Sequence, residues 1–164
     1  MKNFDWTTFT VKIAVRASLT DMYNAWTRSA DIERWFLSKS IFTGPDQKRV
    51  ARNANVVKGG TWTWEWFGWE HTDHGRITKA NGKDHLQFTF AGECPVDVRL
   101  KKQGKDVIVE LTQSKIPTDD DSKQNIRLGC HTGWSLFLLN LKSVYEGGLD
   151  LRNKNTKLKG MINN

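Results

Sequence analysis

Glu70-His71-Thr72-Asp73-His74 places two imidazoles and two carboxylates in five consecutive positions. Nitrogen and oxygen ligands of this kind suit zinc or iron. The spacing works against a shared ion. In an extended strand His71 and Asp73 lie on one face and His74 on the other, so convergence requires a turn. The segment also falls between two strand patterns, where polar loop residues are ordinary, and the expectation is no metal and no cofactor. Cys130-His131 has the residue types of a thiolate–imidazole nucleophile. Neighbouring helical residues do not face each other, however, and Cys130 falls on an apolar stripe, as a small buried hydrophobe would. Asp97, Glu93 and Arg99 could do acid–base work only inside a cavity, and strand alternation turns Asp97 and Arg99 outward. The sequence contains no nucleophile elbow, phosphate loop or dinucleotide fingerprint, and it assigns no catalytic residue.

Aromatic residues are the stronger signal. Trp62, Trp64, Trp66 and Trp69 fall within eight residues. Such a group makes an aromatic wall for an apolar or flat ligand, or it fills a core; composition leaves both open. Trp69 breaks the alternation and belongs to a loop, and Glu65 points to the opposite, solvated face. Trp134, Phe137 and Leu141 further along, with Trp35, have the spacing to face these tryptophans. The candidate ligand-binding cavity is therefore Trp35, Trp62, Trp64, Trp66, Phe88, Phe90, Trp134, Phe137 and Leu141.

The elements that must position them follow from periodicity. Phe9, Val11, Ile13 and Val15 alternate with mostly polar residues and predict a strand. Ser18 then caps a short helix carrying Leu19, Met22, Tyr23 and Trp26, and Ser29-Ala30-Asp31 caps a second with Ile32, Trp35 and Phe36. Gly59-Gly60 turns into the tryptophan strand. Gly75 to Lys79 continues the sheet, and Asn81-Gly82 marks a hairpin whose two central positions need positive φ. Leu86, Phe88 and Phe90; Val96, Val98 and Leu100; and Val107, Val109 and Leu111 each alternate. Every strand has one apolar face, so the sheet is antiparallel and covered on one side. Asp121-x-x-Gln124 reads as a capping-box variant for a last helix whose stripe is Ile126, Cys130, Trp134, Phe137, Leu141 and Val144. Gly147-Gly148 ends it. The predicted architecture is α+β: a curved antiparallel sheet, two short helices and a long C-terminal helix.

The 164 residues carry a net charge of +7, with 38% hydrophobic and 26% charged residues, ordinary for one globular domain. The basic residues are scattered. Their densest cluster, Arg152, Lys154, Lys157 and Lys159, reads as a solvated tail over about 153–164 beyond a core of about 8–152. Nucleic-acid binding is not expected, because no recognition motif accompanies the charge. The longest apolar run, from Leu136 to Leu141, is too short to span a bilayer, and no signal peptide is evident. Two cysteines without metal-ligand spacing give no disulfide framework. The expected location is cytoplasmic.

Two segments resemble a known family. Ala17 to Thr27 followed by Ile32-Glu33-Arg34-Trp35-Phe36, and His131-Thr132-Gly133-Trp134 with Leu141 to Gly148, are similar to the opening and closing signatures of the family named after the C-terminal domain of the activator of Hsp90 ATPase. The resemblance runs from about residue 8 to residue 152. It implies a START-like, SRPBCC helix-grip fold, in which a curved sheet wraps the last helix and leaves a cavity. It also implies a range of roles: lipid carriers, hormone receptors, polyketide cyclases, oxygenase subunits and a stress-response chaperone activator. The founding co-chaperone carries a second, N-terminal domain, for which this chain leaves no room. Residues and resemblance together point first to a binding protein for a small hydrophobic or aromatic ligand. A co-chaperone-type module with an Hsp90-type partner comes next, and a polyketide cyclase-like enzyme last.

Overall fold

The computed structural model describes residues 4–164. Strand β1 (Phe9–Val15) leads into helices α1 (Leu19–Thr27) and α2 (Ser29–Ile32). Six more strands follow: β2 (Lys39–Thr43), β3 (Thr61–Glu65), β4 (Asp73–Ala80), β5 (His85–Phe90), β6 (Cys94–Gln103) and β7 (Asp106–Gln113). A π-helical segment, Ser122–Leu128, then runs directly into α3 (Gly129–Tyr145). The strands form one sheet in the order β1-β7-β6-β5-β4-β3-β2, every neighbouring pair antiparallel. This is the α+β architecture the periodicity predicts.

Alternation decides which face is buried. On β5 to β7, Leu86, Phe88, Val96, Val98, Val107, Val109 and Leu111 are almost fully enclosed. Asp97 and Arg99 sit on the outer face, where Asp97 meets His85 and Gln87. Both short helices and α3 close the inner face. The Trp35 indole N–H donates to the Ala25 carbonyl at 2.9 Å, and its ring meets Trp26 edge-on at 4.7 Å. Buried Asn140 on α3 donates to the Trp35 carbonyl at 2.6 Å. Lys142 donates to the Ala14 carbonyl at 2.9 Å, tying α3 to β1.

Local details depart from the sequence reading in four places. Ser18 does cap α1, accepting from the Asp21 N–H, but Ser29 lies inside α2, behind Arg28. The last helix starts earlier than the Asp121 box implies. Asp121 is already helical, and Asp119 is the residue whose carboxylate accepts from the Ser122 N–H at 2.9 Å. Asn81-Gly82 opens a longer loop in which only Gly82 has positive φ; the Asn81 side-chain oxygen accepts from the N–H groups of Lys83, Asp84 and His85. Finally, the basic tail is folded back on the domain. Arg152 is buried and donates to the carbonyls of Leu37 and Arg34 at 2.8 and 2.9 Å, Lys159 pairs with Glu70, and Asn153 donates to Asn164 at 2.6 Å.

Candidate functional site

The core is left unfilled at one end. A cavity of about 540 Å3 opens between the loop after β3, the ends of β4 and β5, and the first turns of α3. Six aromatic rings wall it: Phe36, Trp66, Trp69, Phe90, Trp134 and Phe137. Phe36 links the wall, meeting Trp134 at 5.0 Å, Phe137 at 4.8 Å and Trp66 at 5.6 Å. Phe90 stands 5.1 Å from Trp134 on the opposite side.

The roof is made by what α3 lacks. Gly129 and Gly133, one helical turn apart, both border the cavity, and a Cβ at Gly133 would meet nothing within 4 Å. Glycine inside a helix costs about 0.5–1 kcal/mol relative to alanine, so the helix forgoes stability where the cavity keeps its room. The π-helical turns just before Gly129 bring Asn125 onto the same wall; such wide turns recur at functional sites.

Polar groups are few. Asn125, Cys130, His71, Asp73 and Asn164 complete the lining. Asp73 is the register partner of Trp64, and directly opposed residues share a face. Trp64 is fully buried, so Asp73 stands on the inner face of the sheet. Gly75, the next inner position, is opposite Trp62, and a Cβ there would collide with the Trp62 ring. Asp73 accepts from the His74 N–H at 3.0 Å. His74 itself points outward and bonds Thr63 at 3.1 Å. His71 lies edge-on to Trp69 at 5.2 Å. The Glu70–His74 cluster is thus split: His71 and Asp73 share the cavity wall, whereas Glu70 pairs with Lys159 and His74 bonds Thr63, and among the described residues no three His, Cys, Asp or Glu side chains are placed to hold a metal.

Burial pushes the Cys130 thiol up to about 11, against a smaller opposing pull from Gln113, with Cys94 and Asp73 adding to the rise. His131 packs edge-on against Phe9 at 5.3 Å. Cys130 is a protonated wall residue at neutral pH, and among the described residues no histidine or carboxylate hydrogen-bonds its sulfur.

Of the cavity residues named from sequence, the structure puts Trp66, Phe90, Trp134 and Phe137 on the wall. Trp35, Trp62, Trp64, Phe88 and Leu141 lie behind it, fully buried in the core. Trp62 and Trp64 stack on each other at 4.0 Å instead of opening toward a ligand. The sequence reading missed Phe36, Trp69, His71, Asp73, Asn125, Cys130, Asn164 and the two glycines. Gly129-x-x-x-Gly133 was a usable signal, since two small residues on one helix face leave a groove. Nothing local foretold Asn164.

The matching family model, described as activator of Hsp90 ATPase homolog 1-like protein, aligns with residues 16–146. The chain belongs to that family. Solved structures similar to this family member share its helix-grip fold. Protein SSP2350 from Staphylococcus saprophyticus superposes with a TM-score of 0.70 at 21% identity, over 88% of this chain and 96% of that one. Aha1 from Colwellia psychrerythraea, solved as a dimer in solution, gives 0.65 at 21% identity, over 86% and 97%. DynU16, from the dynemicin biosynthetic locus, gives 0.69 at 18% identity, over 90% of this chain and 50% of that one. No curated protein matches. In this activator-of-Hsp90-ATPase-like chain no helix is long and apolar enough to cross a membrane, among the described residues.

Proposed function

We propose that the protein binds a small hydrophobic or aromatic molecule in the cavity between the sheet and α3. The observation that carries this reading is an unfilled volume of about 540 Å3 walled by six aromatic rings. That volume lies within the range of roughly 300–1,000 Å3 typical of ligand sites, which are mostly apolar with a few placed polar groups. The glycines at 129 and 133 support it, because a helix optimised for packing alone would carry side chains there. An enzyme of polyketide-cyclase type would need an acid–base pair at the ligand. His71 is exposed at the mouth and, among the described residues, no histidine side chain hydrogen-bonds Asp73, so the wall supports holding better than turnover. Two free cysteines suit a reducing, cytoplasmic setting.

The test is native mass spectrometry of freshly purified protein, with calorimetric titration of a neutral aromatic, 1-naphthylmethanol. A stoichiometric small molecule released on denaturation, or saturable 1:1 uptake of the probe, supports the reading. A clean apo mass together with no heat of binding from this alcohol or from its charged analogues, 1-naphthylmethylammonium and 1-naphthoate, overturns it. The family match favours a second reading, docking to an Hsp90-type chaperone. It predicts faster chaperone ATP turnover on adding this protein, and unchanged turnover at saturating protein removes it.

A further inference from the structure

We infer that the ligand is a cation: an aromatic or otherwise apolar molecule bearing an ammonium group, which Asp73 receives. The inference rests on the cavity reading above and names the ligand class for that site.

Asp73 breaks the pattern of its surroundings. It occupies an inner-face position whose neighbours on that face are Trp64, Gly75 and Ile77, and it is half-buried at the cavity wall. One carboxylate oxygen accepts the His74 N–H. The other has no hydrogen bond or ion pair among the described residues, and no lysine, arginine or histidine nitrogen pairs with this carboxylate. The protein's net charge is +7, yet none of that excess is spent on this acid. The one lysine at the adjoining outer rim, Lys159, is already paired with Glu70.

Desolvation makes this arrangement selective. An empty cavity lets water solvate the free carboxylate oxygen. A neutral apolar occupant would displace that water and strand a charge, which is costly. An ammonium group replaces the lost water with a charge-assisted hydrogen bond. The faces of Trp66, Phe90 and Trp134 add to the effect, because indole and phenyl rings attract cations through their quadrupoles. Aromatic wall and unpaired acid therefore favour the same ligand charge. The amide groups of Asn125 and Asn164 can accept or donate and do not choose between charges.

The experiment compares three probes of one shape by calorimetry: 1-naphthylmethylammonium, 1-naphthylmethanol and 1-naphthoate, each against the wild type and Asp73→Asn. The variant keeps the size of the side chain and an oxygen for the His74 N–H. The expected result is that the ammonium probe binds the wild type about tenfold or more tighter than the alcohol, with the carboxylate weakest. In Asp73→Asn that advantage falls to the smaller part that the ring faces supply, while the alcohol's affinity holds or improves. Equal affinity of ammonium and alcohol for the wild type, or an ammonium preference that is undiminished in Asp73→Asn, overturns the inference and leaves the cavity reading standing. If none of the three probes binds the wild type, the cavity reading falls and the inference falls with it. Retained alcohol binding by the variant shows that it is folded; the wild-type comparison decides the charge preference without it.

Discussion

The indole N–H of Trp134 on α3 donates to the side-chain oxygen of Gln113 on β7, at 3.0 Å and out of contact with solvent. Gln113 is fully buried between Phe9 and Val96, its register partners on either side. Its amide nitrogen lies near the Cys94 and Cys130 sulfurs without a sound hydrogen bond. The bond sets the angle of the ring at the centre of the aromatic wall. Gln113→Met removes the acceptor at similar volume. Stranding the indole N–H costs about 1–3 kcal/mol, partly offset because an unpartnered amide nitrogen also disappears. The expected net loss is about 1–2 kcal/mol in urea unfolding, with 1-naphthylmethanol binding weakened as Trp134 loses its fixed orientation. Unchanged stability and unchanged binding would show that packing alone holds the ring.

Gly133 separates the needs of the fold from those of the cavity. A Cβ there meets nothing within 4 Å, so Gly133→Ala should stabilise the protein by about 0.5–1 kcal/mol through helix propensity. Gly133→Leu pushes its side chain into the volume bordered by Trp134 and Phe137. It should stay folded, with a melting temperature no lower than wild type, and lose probe binding. A Leu variant that binds the neutral probe as well as wild type places the ligand elsewhere.

The sheet was legible because most of its strands keep a strict period of two, as Val96-Asp97-Val98-Arg99 does, and the last helix because its stripe repeats over five turns. β2 was not, because buried Ser40 occupies an inner position and erases the alternation in a five-residue strand. Three consecutive aspartates, 119 to 121, offer the last helix equivalent caps, and only the path of the chain selects Asp119. The candidate site was half legible. Trp66 and Trp134 follow from pattern, but whether an indole lines a void or fills one depends on whether a neighbour stacks on it, as Trp62 does on Trp64. Asp73 was read as a loop residue because its neighbours are polar. Its inward aim comes from pairing with a residue on another strand, which one sequence does not display. The tail was misread because lysine and arginine usually mark solvent, whereas Arg152 is held by carbonyl groups of distant segments.

Arg152 should therefore be a stability residue. Its guanidinium contacts the Leu37 and Arg34 carbonyls and the Asp150 carboxylate at 2.7 Å. Burial alone would raise the Asp150 carboxyl, but hydrogen bonds from Arg152, Lys154 and Asn140 override it and hold it well below the ordinary range. A depressed folded-state value gives stability that is complete above the unfolded carboxylate range, about pH 4. That stability is lost as pH falls further, toward the folded value. Arg152→Met should cost about 2–4 kcal/mol at pH 7, since two carbonyls and a partly buried acid lose their donor. The gap between wild type and variant should narrow below about pH 4. A pH-independent gap in denaturation midpoints would assign the loss to packing alone.

Cys130 offers a chemical readout of the cavity. With its thiol pushed up to about 11 by burial, the thiolate fraction at pH 8 is roughly two orders of magnitude below that of an unperturbed cysteine. Iodoacetamide should therefore label it slowly at pH 8, faster as pH rises toward 11, and slower again when 1-naphthylmethanol occupies the cavity it lines. Protection by the probe must be saturable, with the dissociation constant that calorimetry reports. Cys94 is buried and does not line the cavity, and peptide mapping distinguishes the two sites. If labelling of Cys130 is fast at pH 8 and indifferent to the probe, the thiol faces solvent, and the aromatic wall does not enclose the space the ligand needs.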